Sequence, residues 1–467
     1  MNLRTAIVRA LGALLVASCS LSPKLVGTRP TTLTEARAEL EACALTQNRL
    51  SDASREVLAV FDLRGLYDED PRAALRALHA RAVAEPLRAT LFALAEGSYL
   101  LGRRRGDREA YLAAAVYAYL YLLGDAADAA PNPYDRRFRW AAQLYNDGLL
   151  RALLDRKARV EVVEGAHALP TGTLELHLDP AASWTPAAFR FEPADLLAIQ
   201  GLRLHLRDSG LGVPLVVRPR AKPAHDAHAF DPPGNVPVTA FMRLDGLERL
   251  ATGLRAKLEL HSGYDGDAID VAGHSVPLET DRSAALARGL DSADIWSFSI
   301  AGLFAGERAD ENRLLLAQPY ARGRVPVVFV HGTASSPAYW AELFNTLWSD
   351  PLLRSSTQMW FFQYATGNPI LFSAAELRDA LRATVKELDP EGSDEALRRM
   401  VLIGHSQGGL LVRLLVSHGD MTWLEELSGR TLAELALSPT EDALLRRCLE
   451  FEPLEGVQRV VFVSTPH

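Results

Sequence analysis

Residues 325–330, Val-Pro-Val-Val-Phe-Val, hold no polar side chain, so a strand formed there has no face to give to water. Such a strand needs cover on both sides. Three further strand candidates follow at 358–364, 400–403 and 459–463. Helix-forming stretches lie between them. Ser373-Ala374-Ala375-Glu376 has capping-box spacing and opens a helix running towards Leu388. Residues 408–418 form another, with Leu410, Leu411, Leu414 and Leu415 on one side. Strands and helices alternating through short loops predict an α/β fold for 281–467, a mostly parallel sheet flanked by helices.

The remainder of the chain has a different character. Residues 31–157 read as a helical region, opened by a capping box at Thr32-Leu33-Thr34-Glu35. Gly65, Pro71, Gly102, Gly106, Gly124 and the prolines at 131 and 133 break it into segments. Residues 111–123 and 138–154 carry aromatics and leucines at helical spacing, a stripe expected to be core rather than binding surface. Residues 159–280 read as β-rich, with short apolar or alternating runs at 159–163, 173–178, 202–206, 213–217, 236–242 and 256–261. His225-Asp226-Ala227-His228 sits among prolines there and reads as a solvated loop; two histidines and one carboxylate lack the enclosing ligands of a metal site.

Residues 1–19 have the anatomy of an export signal. Arg4 and Arg9 supply positive charge, 11–17 a short apolar stretch, and Ala17 and Ser18 small residues before Cys19. Val16-Ala17-Ser18-Cys19 resembles a bacterial lipobox, which implies lipidation of Cys19 and an N-terminal lipid anchor at the membrane. The apolar run is shorter than the about 20 residues a span requires. With Ser20 after the cysteine, the expected location is the bacterial cell envelope, as an outer-membrane lipoprotein. Composition narrows the partners. The 467 residues carry 50 basic and 58 acidic side chains, a net charge of −8, which excludes a strongly basic nucleic-acid binder. Three cysteines have no metal-ligand spacing, and no metal or cofactor is expected. Cys43 and Cys448 remain open as a pair.

One motif carries chemistry. Gly404-His405-Ser406-Gln407-Gly408 fits G-x-S-x-G, directly after the apolar strand 400–403 and directly before an apolar helix. A serine at a sharp turn needs a strained backbone, and flanking glycines leave room for the neighbouring strand and helix. The hydroxyl is then held at the carboxyl end of the sheet, where the Gln407 amide points at a developing oxyanion. Gly273-His274-Ser275-Val276-Pro277 lacks the last glycine and the helix, and is expected to have no function.

These features together resemble the α/β-hydrolase family of lipases and esterases over about 140 residues. His331-Gly332-Thr333 stands where that family carries its oxyanion loop. The resemblance implies Ser406 as nucleophile, the Thr333 and Gln407 amides as oxyanion donors, and His331 and Gly332 as substrate-binding. Val460-Val461-Phe462-Val463-Ser464-Thr465-Pro466-His467 is similar to the sixth strand and following turn of bacterial lipases. The implied reaction is hydrolysis of carboxylic esters through an acyl-enzyme. The apolar loop 364–372 and the insertion 421–454 lean towards lipid-like esters. That insertion reads equally as a lid or as a packed pair of surface helices; in it Ser438-Pro439-Thr440-Glu441 opens a helix to about Phe451.

The family's acid and base have no counterpart. His418 is expected three turns along the nucleophile's own helix, about 18 Å away. His331, His405 and His467 do not occupy the base's station. The expectation is a partial hydrolase fold whose gene runs on for about 100 residues or more, supplying an Asp or Glu and then a His. The competing reading is a lipid-anchored, non-catalytic interaction protein with a relic hydrolase fold.

Overall fold

The computed structural model describes residues 28–181, 183–221, 230–231, 234–291 and 312–466. The export-type segment with Cys19, the 225–228 loop and His467 lie outside them. Among the described residues no helix is long and apolar enough to cross a membrane.

Three long helices dominate the first part: α1 (Arg88–Arg105), α2 (Arg108–Leu123) and α3 (Arg136–Leu153). Asp107 and Asp135 cap α2 and α3 by accepting from first-turn amides. Gly102 does not break a helix as expected. It lies inside α1, where an added Cβ would come within 2.9 Å of the Tyr111 ring. The missing side chain lets α1 and α2 approach closely. Tyr117, Tyr119, Tyr121, Trp140 and Tyr145 are buried between the helices and the sheet beyond them. Tyr145 ties the two together, donating to the Met242 carbonyl at 2.8 Å and accepting from the Met242 amide at 2.7 Å.

The first sheet comprises β1 (Gly165–Leu169), β2 (Gly172–Leu178), β3 (Phe189–Pro193), β4 (Val213–Pro219), β6 (Val236–Leu244) and β7 (Leu254–Ser262), in the order β1-β2-β7-β6-β4-β3. A short strand, β5 (Phe230–Asp231), joins the second sheet instead. Two of the expected strands do not form. Residues 159–163 fold back on the end of α3, the Glu161 amide bonding the Leu153 carbonyl. Residues 202–206 spend their backbone groups on side chains: the Arg203 amide on Glu342, the Leu206 amide on Ser283, the Leu204 carbonyl on Asn345. β8 (Ala268–Val271) and β9 (His274–Pro277) form a separate hairpin.

The second sheet has the order β14-β13-β11-β12-β10-β5, with β10 (Arg313–Leu316), β11 (Val325–Val330), β12 (Thr357–Gln363), β13 (Met400–His405) and β14 (Val457–Val463). The four strands β14, β13, β11 and β12 run parallel, and β10 pairs antiparallel with β12. Strand alternation divides its core in two. Val328, Val330, Trp360, Phe362 and Leu402 pack under α5 (Ile370–Leu388) and α6 (Gln407–Leu415). Val327, Phe329 and Met359 face α4 (Ala341–Trp348) and join the same core as the first sheet and α1–α3. Tyr264 seals that junction, its ring 4.9 Å from Trp348 and its hydroxyl donating to the Ala317 carbonyl. Full burial of each such apolar side chain contributes about 1.5–3 kcal/mol.

Two helix starts differ in outcome. α8 (Pro439–Leu449) begins at the Ser438–Glu441 capping box, as expected, after α7 (Thr422–Ser428). α5 begins three residues before the expected box. Ser373 is an interior residue whose amide bonds the Pro369 carbonyl, and its buried hydroxyl has no partner among the described residues.

Candidate active site

β11 and β13 are adjacent parallel strands, so the loops leaving their carboxyl ends meet. Ser406 follows β13 with φ 51° and ψ −120°, a strained combination for a residue with a Cβ. Its amide continues the ladder to the Val463 carbonyl at 2.9 Å, and its carbonyl accepts from the Gly409 amide. The flanking glycines are required by contact. A Cβ on Gly404 would lie 2.5 Å from the Gly408 carbonyl oxygen, and one on Gly408 would lie 2.3 Å from that of Val330. Gly409, which sequence reasoning missed, leaves room for Thr465 on the turn after β14. Ser406 Oγ forms no hydrogen bond with any described residue.

Gly332 brings the β11 loop against the serine. A Cβ added there would lie 2.9 Å from the Ser406 Cβ, so glycine lets the loop rest on the serine. The next residue, Thr333, is exposed, and its Oγ1 donates to Gln407 Oε1 at 2.7 Å. Gln407 Nε2 donates to the Thr366 carbonyl at 3.2 Å, and Thr366 Oγ1 accepts from the Ala334 amide at 3.2 Å. Ala334 has φ 52°. The Thr333 amide donates to no described residue. Gln407 is the first residue of α6, so its amide has no intrahelical acceptor. Two free N–H groups therefore flank Ser406 on residues whose side chains touch.

His331 departs from its expected substrate-binding role. Its ring is 1 % exposed and stacks on Tyr364 at 4.5 Å. The Tyr364 hydroxyl donates to the His331 carbonyl at 2.8 Å. Burial holds the His331 pKa down to about 4, so the ring is neutral near pH 7 and supports the loop from beneath. The reason is that the chain leaves the strand at Val330, where strict alternation ends. His418 also differs: α6 stops at Leu415, and His418 pairs with Glu452 on the surface. His405 sits edge-on to Trp340 at 6.3 Å. No described histidine bonds to Ser406. Cys43 and Cys448 are both free and buried.

A cavity of about 660 Å³ begins two residues from Thr366, at Asn368. Phe372 on α5 forms one wall; Trp423 of α7 and Leu444, Cys448 and Leu449 of α8 form the other. Arg447 ties α8 to α5 through Glu376 and Asp379, the latter at 2.7 Å. Thr366 carries no motif; only its place in an apolar loop marked it in the sequence.

A model of the alpha/beta hydrolase family matches residues 327–462, from β11 through the Ser406 turn to β14. This stretch is thus similar to alpha/beta hydrolases, which supports a hydrolase-type function and an α/β fold. No curated protein and no solved structure matches the chain significantly.

Proposed function

We propose that the protein hydrolyses carboxylic esters through an acyl-enzyme on Ser406. The observation that carries this reading is the strained Ser406 turn with Gly332 packed against it and the free Thr333 and Gln407 amides alongside. Ser406 Oγ attacks the ester carbonyl carbon while a general base takes its proton. The carbonyl oxygen becomes an oxyanion held by the two amides. Collapse expels the alcohol with a proton returned from the base. Water then attacks the acyl-enzyme by the same route, releasing the acid and regenerating the hydroxyl. No described histidine bonds to Ser406, so the general base in this reading is a group outside the described residues.

The apolar cavity lined by Asn368, Phe372, Trp423 and Leu444 supports an acyl chain as the bound portion, each buried methylene adding about 0.8 kcal/mol. Lipid-like esters are therefore the proposed substrate class, with α7 and α8 as the cover. Lipidation at Cys19 would place the enzyme at the cell envelope.

The test is labelling of the full-length gene product with a fluorophosphonate probe. Covalent capture is expected, and Ser406→Ala should abolish it and lower ester hydrolysis by about 10⁴-fold. A folded wild-type protein that takes up no probe defeats the enzyme reading and leaves the interaction-protein alternative.

A further inference from the structure

We infer that Thr366 is the positioning residue of the oxyanion loop, an inference that rests on the hydrolase reading of the same site. Three loops meet beside Ser406: residues 331–334 after β11, residues 364–369 after β12, and the turn after β13. Thr366 is the residue common to the other two. Its hydroxyl accepts from the Ala334 amide, its carbonyl accepts from Gln407 Nε2, and Gln407 Oε1 accepts from Thr333 Oγ1. The bonds form a chain from Ala334 through Thr366 and Gln407 to Thr333. Thr333 is thereby gripped on both sides, through its own hydroxyl and through the next amide, while its N–H stays free.

Two features make this grip necessary. Ala334 holds a left-handed backbone, φ 52°, which a residue with a Cβ keeps only when its surroundings impose it. Thr333 is exposed, so little packing fixes it. Thr366, in contrast, is only 6 % exposed and lies two residues beyond the buried Tyr364, whose hydroxyl holds the His331 carbonyl. The anchor is rigid and the group it holds is not. An oxyanion donor works only if it is in place before charge develops, and displacement by about 1 Å can cost about 100-fold.

The experiment compares full-length wild type with Thr366→Val, which keeps shape but loses the hydroxyl, and Thr366→Ser, which keeps the hydroxyl. On p-nitrophenyl butyrate, Thr366→Val should lower kcat about 10- to 100-fold while KM changes less than about threefold. Thr366→Ser should remain within about threefold of wild type. Deuterium exchange of the 331–336 peptide should quicken in the valine variant and not in the serine variant. Should Thr366→Val fail to fold, Gln407→Glu tests the same chain of bonds, because it still accepts from Thr333 but no longer donates to Thr366; its readout is faster exchange of the 331–336 peptide, since the added charge beside the oxyanion lowers kcat by itself. A folded valine variant with wild-type kcat and exchange overturns the inference, as does a serine variant as slow as valine. A wild type that neither hydrolyses esters nor takes the probe defeats the hydrolase reading instead, and the exchange comparison still decides what Thr366 holds.

Discussion

The tripeptide Gly-His-Ser occurs twice, at 273–275 and at 404–406, and the molecule treats the copies in opposite ways. Gly273 has φ 81° in an open hairpin turn, where a methyl group would find nothing within 4 Å. Ser275 then lies flat and exposed in β9, paired with Asp270. Gly404 instead is the next-to-last residue of an internal parallel strand, and the positive φ falls on Ser406 itself. The difference is imposed by the residues after each serine. Val276-Pro277 extends the hairpin, whereas Gln407-Gly408-Gly409 turns at once into α6 against Val330. A serine becomes an aimed group because its surroundings are crowded.

That contrast can be broken most forcefully at the hydroxyls. Ser275→Ala should leave ester hydrolysis by the full-length protein unchanged, against the about 10⁴-fold loss expected for Ser406→Ala. Next come the glycines. Gly408→Ala drives a methyl to 2.3 Å from a strand carbonyl and should cost more than about 3 kcal/mol in urea unfolding, whereas Gly273→Ala should cost about 1 kcal/mol for its positive φ alone. Acid titration sharpens the comparison beneath the second turn. His331 has its pKa depressed from 6.5 to about 4 in the folded state, so the unfolded chain binds more protons between those values. Stability is therefore retained above pH 6.5 and falls as pH drops towards 4, by at most about 3 kcal/mol. His331→Phe should flatten this limb in denaturation followed at pH 7, 5.5 and 4. Smallest is the effect of glycine at the serines. Ser406→Gly should stabilise by about 1 kcal/mol as strain is released, while Ser275→Gly, in an ordinary strand, should destabilise by about 0.5–1 kcal/mol.

Much of the second sheet could be read from residues because its signals were local. The unbroken apolar run at 325–330 forms a strand with those same ends, and Ser438 caps α8 because proline and glutamate stand at the required offsets. The Gly404–Gly408 turn announced itself through the strand before and the helix after. What escaped depends on distant partners. β10 is only Arg-Leu-Leu-Leu, and its antiparallel place between β12 and β5 is set by β12, some forty residues on. The 202–206 run alternates like a strand but bonds to Glu342, Ser283 and Asn345, which no local pattern reveals. At the site, Ser406, Gly332, Thr333 and Gln407 come together. The inward turn of His331 and the part played by Thr366 follow only from three loops converging.

The hydrolase-like stretch has no solvent-exposed seam along which it could be cut free. Phe329 and Met359 share one interior with Tyr145 and Phe241, so scissors placed at residue 327 would wet tryptophan and phenylalanine on both sides of the cut. The helices and the first, mixed sheet are thus structural dependants of the hydrolase-like fold, and it of them: heat should melt them as a single cooperative body.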